Sequence, residues 1–192
     1  MHMKHILPIL TLSTLAAAAS AQVAAPAASQ IDPLSYNRIG FEISERHSTP
    51  TGYNNVNTLS VASMLGSSNF YASASDDQYY TILGLGYVFR NVAFATDVVL
   101  LASSGAGYGQ ARDTRYGITL RRRLPELNKN LEASLGYSNS HGVVGGAGAN
   151  TVKCELAYNL DAHYQVALGL VQTDEVIVSG QHYYTMAVRY NF

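Results

Sequence analysis

The stretch Tyr183-Tyr184-Thr185-Met186-Ala187-Val188-Arg189-Tyr190-Asn191-Phe192 alternates along its length. Tyr184, Met186, Val188, Tyr190 and Phe192 are large and apolar or aromatic. The intervening Thr185, Ala187, Arg189 and Asn191 are polar, charged or small. A repeat of two is the period of a β-strand, whose successive side chains point to opposite faces. Seven further stretches read the same way: 38–44, 82–89, 93–100, 115–121, 131–138, 152–160 and 163–170. In the first of these, Ile39, Phe41 and Ile43 alternate with Arg38, Gly40, Glu42 and Ser44.

A soluble sandwich alternates too, but three features point to a membrane. The strands run to about 10 residues, the length that crosses a bilayer at a tilt. Aromatic residues gather near the ends of the apolar faces, as at Tyr79, Tyr87 and Phe89, in the manner of an interfacial girdle. Short connections at Arg90-Asn91, Leu124 to Asn128 and Leu160 to Ala162 alternate with longer ones at 47–54, 102–112, 139–149 and 173–181. Lipid offers nothing to satisfy an unpaired strand edge, so such a sheet closes into a barrel. Short turns then lie in the periplasm and longer loops outside. Both termini share the periplasmic side, which requires an even strand number.

The segment 55–76 decides that number. Val56 to Met64 and Phe70 to Ser75 read as two strands around a turn at Leu65 to Ser68. The expectation is an all-β, closed, antiparallel up-and-down transmembrane β-barrel of ten strands. Eight is the alternative, with a loop of about 30 residues that would be unusual in a compact domain.

The chain has 192 residues, of which 13% are charged, with a formal net charge of −1. A typical soluble domain carries about 25% charged residues. Near-zero charge argues against a nucleic-acid partner. The single cysteine excludes an intrachain disulfide framework. Residues 1–21 read as a signal peptide, with Lys4, an apolar stretch from Ile6 to Ala18 and an Ala19-Ser20-Ala21 cleavage site. Residues 22–34 read as an Ala/Pro-rich periplasmic linker, and 35–192 as the barrel.

The carboxyl-terminal alternation ending in Phe192, together with TILGLGYVF (Thr81 to Phe89), RYGITLRRRL (Arg115 to Leu124) and ELAYNL (Glu155 to Leu160), resembles small Gram-negative outer-membrane β-barrels of the OmpA/OmpX-like porin-superfamily group. The resemblance covers roughly residues 35–192. It implies residence in the bacterial outer membrane after export, and contact with outer-membrane lipid and lipopolysaccharide. It also implies that Tyr184, Met186, Val188, Tyr190 and Phe192 form a signal for the barrel-assembly machinery. Deleting Phe192 is expected to reduce the folded, heat-modifiable form. Oligomeric state is left open.

The alternation turns ten charges inward: Arg38, Glu42, Asp97, Arg115, Arg121, Arg123, Glu132, Lys153, Glu155 and Arg189. Six are basic and four acidic. They are expected either to fill a closed lumen as paired side chains or to line a narrow pore for ions or small solutes with mild anion preference. The closed lumen, with a structural or surface-interaction role, is the leading expectation, because eight strands leave just enough room for side chains and ten only somewhat more. The run Arg121-Arg122-Arg123 reads as an interfacial anchor that snorkels to head groups.

A membrane enzyme acting on lipid is the third reading. Tyr137-Ser138-Asn139-Ser140-His141 resembles the serine and histidine of the lipid A deacylase type, but position 136 is Gly where that pattern has His. A nucleophile without a base is inert, so no catalytic residue and no enzyme activity are expected. His47, His141, His163 and His182 show no ligand spacing, and no metal or cofactor is implied. Asp76, Asp77, Asp113, Asp174 and Glu175 read as solvated loop acids that could gather divalent cations. Cys154 falls on the apolar face.

Overall fold

The computed structural model describes residues 34–48, 52–77, 80–107, 113–142, 148–175 and 181–192. They form ten strands: β1 (Arg38–Ser48), β2 (Gly52–Met64), β3 (Phe70–Asp77), β4 (Tyr80–Ala93), β5 (Thr96–Gly107), β6 (Asp113–Arg123), β7 (Leu131–Gly142), β8 (Gly148–Asn159), β9 (Tyr164–Glu175) and β10 (Gln181–Asn191). Each strand pairs antiparallel with its chain neighbours, and β1 pairs with β10, so the sheet closes without an edge. The expected all-β barrel of ten strands is the observed one. The doubtful segment splits into β2 and β3, whose turn is closed by Leu65 N donating to Phe70 O at 2.8 Å and uses Gly66 at φ 62°. Among the described residues no helix is long and apolar enough to cross a membrane, which says nothing of strands.

Registers keep the apolar phase on one face throughout. Ile39 lies opposite Tyr190, Phe41 opposite Val188 and Leu156 opposite Leu168. Most outward apolar side chains are exposed, 50% for Leu156 and 63% for Leu168, while Val61, Ser63 and Ala74 on the outward phase of β2 and β3 are buried. Outward-facing Phe70, Tyr87 and Phe89 meet edge-on or tilted at centroid spacings of 4.8 Å, and Tyr164 meets Tyr190 at 5.4 Å. These rings gather at the turn-side end, where an interfacial girdle is expected; Tyr79 lies outside the described residues.

Two sequence expectations change. The tight turn falls at Phe94-Ala95, not at Arg90-Asn91. Both turn residues have positive φ, 51° and 54°, as a two-residue hairpin turn requires. Asn91 is also left-handed, at φ 52°, where the β4–β5 register shifts between Phe89 and Ala93. Asn tolerates that region, so the local signal was real, but it marks a bulge rather than a reversal. The second change concerns the other end. Much of 47–54, 102–112, 139–149 and 173–181 is paired strand: 47–48, 52–54, 102–107, 139–142, 148–149, 173–175 and 181 belong to strands, and the rest of these stretches lies outside the described residues. Gly, Ser and Asn lower strand propensity, yet a ladder of backbone hydrogen bonds continues once its neighbours are held.

Inside the barrel the Tyr71 ring lies against Gly86, where any Cβ would overlap it. Gly86→Val should displace this ring and cost about 1–3 kcal/mol by overpacking. Urea unfolding in vesicles, followed by circular dichroism, checks this; an unchanged midpoint would show the ring free to move.

Candidate functional site: the lumen

Facing positions in the registers place all ten expected charges on the inward face. They do not do the same work. The turn-side end, which holds the turns 65–69, 94–95, 124–130 and 160–163, is packed. Of its inward residues, Val88, Asp97, Val99, Arg121, Glu132, Ala157, Gln165, Ala167, Arg189 and Asn191 are buried, while Arg38, Met64 and Arg123 are partly accessible. Toward the other end most inward residues are small or hydroxylic and partly accessible: Ser60, Ser73, Gly84, Gly117, Thr119, Gly136, Ser138, Thr151, Gly169 and Thr173. Ser44, Val56, Ser103, Val171 and Thr185 are buried exceptions on that side.

A polar network crosses the packed end. Arg121 donates from Nε and Nη2 to Glu132 Oε1 at 2.8 and 2.6 Å. Gln165 donates to Glu132 at 3.3 Å and to Asn159 at 2.9 Å, and accepts from Arg189 Nη1 at 3.0 Å. Arg189 grips Glu155 with two bonds of 2.6 Å. Lys153 lies 3.3 Å from Glu155 and donates to Glu42 at 2.6 Å, reaching the accessible half. Six of the ten charges thus form one connected series across β6, β7, β10, β8 and β1, with Gln165 of β9 as the joint. Charged hydrogen bonds of this length offset the cost of removing the ions from water.

Asp97 does something else. Its Oδ2 accepts from the Tyr36 hydroxyl at 2.8 Å and its Oδ1 from Asn91 N at 2.9 Å. Tyr36 precedes β1, and with Leu34 it enters the lumen, where they are 6% and 4% exposed. They pack with Tyr71, Val88 and Val99. The guanidinium of Arg121 sits 4.5 Å from the centre of the Tyr36 ring and that of Arg90 5.2 Å. Burial first, and then the hydrogen bond to Asp97, push the Tyr36 hydroxyl above its usual pKa against the pull of Arg121, so it stays a donor.

Arg38 lies opposite Asn191 and Ala62, Arg115 opposite Ser103 and Ser140, and Arg123 opposite Glu132. The triple-arginine run is no single anchor. Arg121 turns inward and is buried, whereas Arg122 turns outward and pairs with Glu126 at 2.7 Å. Strand alternation divides adjacent residues between the two faces, so only Arg122 is placed to reach head groups. Arg90 belongs to β4 and faces Tyr36, not a turn.

Among the described residues the remaining candidates do not converge. Ser140 faces inward and bonds to the backbone of Ala149, while the adjacent His141 faces outward and is exposed. His163 sits at the turn side, stacked on Tyr190 at 5.5 Å. Asp161 accepts from the backbone N of Tyr164 and His163, both at 2.7 Å, which lowers its carboxyl pKa. Asp76 accepts from Thr81, and Asp77 accepts from the Tyr80 backbone at 2.7 Å. No group of three or more metal-ligating side chains occurs among the described residues. Cys154 is exposed on the outward face.

Sequence reasoning missed Leu34, Tyr36, Arg90 and Gln165. A signal for the first two was present. Leu34 and Tyr36 share the even-numbered phase of Arg38, Gly40 and Glu42, which is the inward phase of β1.

No family model matches the chain, and no curated protein matches it in sequence. Solved structures do match in shape. The NanC porin is 8% identical, with a TM-score of 0.55 over 80% of this chain and 100% of that one. The KdgM porin in complex with disordered oligogalacturonate is 13% identical, with a TM-score of 0.50 over 81% and 99%. At these identities the likeness is one of fold.

Proposed function

We propose that the barrel is an integral outer-membrane protein that forms a narrow pore for ions or small polar solutes, shut at its turn-side end in this conformation. The gradient of burial along the lumen carries the reading. A purely structural barrel gains most when its interior is filled from end to end. Here the filling stops part-way, and the remainder is walled largely by glycine, serine and threonine, which are small and wettable. Porins of the same fold support the pore over the fully closed lumen that the sequence favoured. The OmpA/OmpX-like affiliation rests on the sequence resemblance alone.

In this reading the packed end faces the periplasm, and lipid and lipopolysaccharide surround the apolar belt. The paired charges flatten the lumen potential, so ion selectivity is weak. No reaction is assigned, since period two separates Ser140 from His141.

Planar-bilayer recording of the refolded full chain tests this. Small, infrequent openings with little preference between potassium and chloride are expected. Silence at all voltages, in the wild type and in the opened variant described next, would defeat the pore. Cell fractionation should place the mature protein with the outer membrane.

A further inference from the structure

We propose that residues 34–37 are a removable stopper that shuts the turn-side mouth, with Tyr36 as its key; this rests on the pore reading. The segment is not a strand, and its hold on the wall is side-chain specific. Tyr36 is clasped between Asp97 on β5 and Arg121 on β6, with Arg90 of β4 beyond its ring. Arg121 Nη1 also donates to the Ser35 carbonyl at 3.2 Å. Asn37 Oδ1 accepts from Met64 N at 2.7 Å and from Ser63 Oγ at 3.3 Å, and the Asn37 carbonyl accepts from Phe192 N at 3.1 Å. Those bonds fix the hinge where the chain leaves β1.

The apolar part of the seat is built for these side chains. Leu34 and Tyr36 pack with Tyr71, Val88 and Val99, flanked by Ala62, Met64 and Leu101. All are inward positions on β2 to β5. Apolar lumen side chains have no place in a purely aqueous channel, and withdrawal of the segment would uncover them to water. That cost holds the stopper in place. On the opposite wall, from β6 through β10, the ion pairs Arg121–Glu132 and Arg189–Glu155 join wall residues to one another. Withdrawal therefore opens one side of the mouth while the ring of strands stays closed. The segment sits in the lumen as an internal ligand with a phenol head.

The test uses full-length chain refolded into vesicles, with the heat-modifiable gel shift reporting barrel formation. Three forms are compared with wild type: Tyr36→Phe, Tyr36→Ala, and Leu34→Gly combined with Tyr36→Gly. Losing the ring, its hydrogen bond and its arginine contact should raise the open fraction in planar bilayers by at least about tenfold. Tyr36→Phe keeps the ring and should give a smaller rise, roughly threefold. A folded Tyr36→Ala that opens no more often than a conducting wild type overturns the stopper and leaves the pore intact. Failure of every form to conduct, including the double variant, overturns the pore and the stopper with it. Should Tyr36→Ala not fold while Tyr36→Phe opens as wild type does, the segment is part of the barrel core and the proposal fails.

Discussion

Arg189→Leu should lower the stability of the folded barrel by about 3–5 kcal/mol, the range for breaking a buried ion pair from one side. Arg189 sits on β10 and ties two neighbouring strands of the closed ring: β8 through Glu155 and β9 through Gln165. Both members of the Arg189–Glu155 pair are 9% exposed at the side chain. Removing the guanidinium leaves the Glu155 carboxylate buried without its two-bond partner, with Lys153 at 3.3 Å. Lys153 is already engaged by Glu42. Replacing Arg189 and Glu155 together by leucine should recover much of the loss, because no buried charge is then stranded. Urea titration in vesicles, read by circular dichroism since the chain has no Trp, compares the single and double variants. Equal loss in both would mean that the pair contributes through packing rather than charge.

Leu156→Arg should cost about 2–4 kcal/mol and hinder insertion into lipid. Leu156 is on the outward face of β8, opposite Ala133 of β7 and Leu168 of β9, three residues before the strand ends at Asn159. Its neighbour Glu155 points the other way, into the lumen network. Adjacent residues of one strand therefore answer to opposite rules. Leu156→Arg places a charge in hydrocarbon, and Glu155→Gln keeps a hydrogen-bonding side chain in a polar lumen. The gel shift after refolding should show little folded Leu156→Arg and substantial Glu155→Gln. The reverse order would mean that β8 is displaced by one residue, since a slip of one exchanges the faces.

Architecture was legible because period-two patterning extends over almost every strand. In β8, Val152, Cys154, Leu156 and Tyr158 mark one face without reference to any other part of the chain. A lipid-facing strand must be apolar on that side, so the requirement is local and visible locally. Strand ends were less legible. At Arg90-Asn91 a left-handed asparagine signals a turn and a bulge equally well. At 139–142 and 148–149 polar composition suggests a loop where cross-strand pairing still holds, and pairing is a property of two strands.

The candidate site was legible only as a list of inward charges. Parity alone places Arg121, Glu132, Glu155 and Arg189 on the lumen face. It does not say that Gln165 joins them, nor that the accessible half of the lumen lies beyond Glu155. Partners such as Lys153 and Glu42 stand 111 positions apart in the chain. They meet because β1 closes against β10, a contact between the two ends of the barrel sequence.

The residues by themselves determined a closed antiparallel barrel with an apolar exterior and favoured ten strands over eight, since period-two patterning gives each strand one apolar face and neighbours along both edges. The tertiary structure alone decided which charges pair, where the lumen is filled, and that Leu34 and Tyr36 turn inside. These depend on ring closure and strand stagger. Closure and stagger set the distance across the lumen, and no local pattern carries that distance.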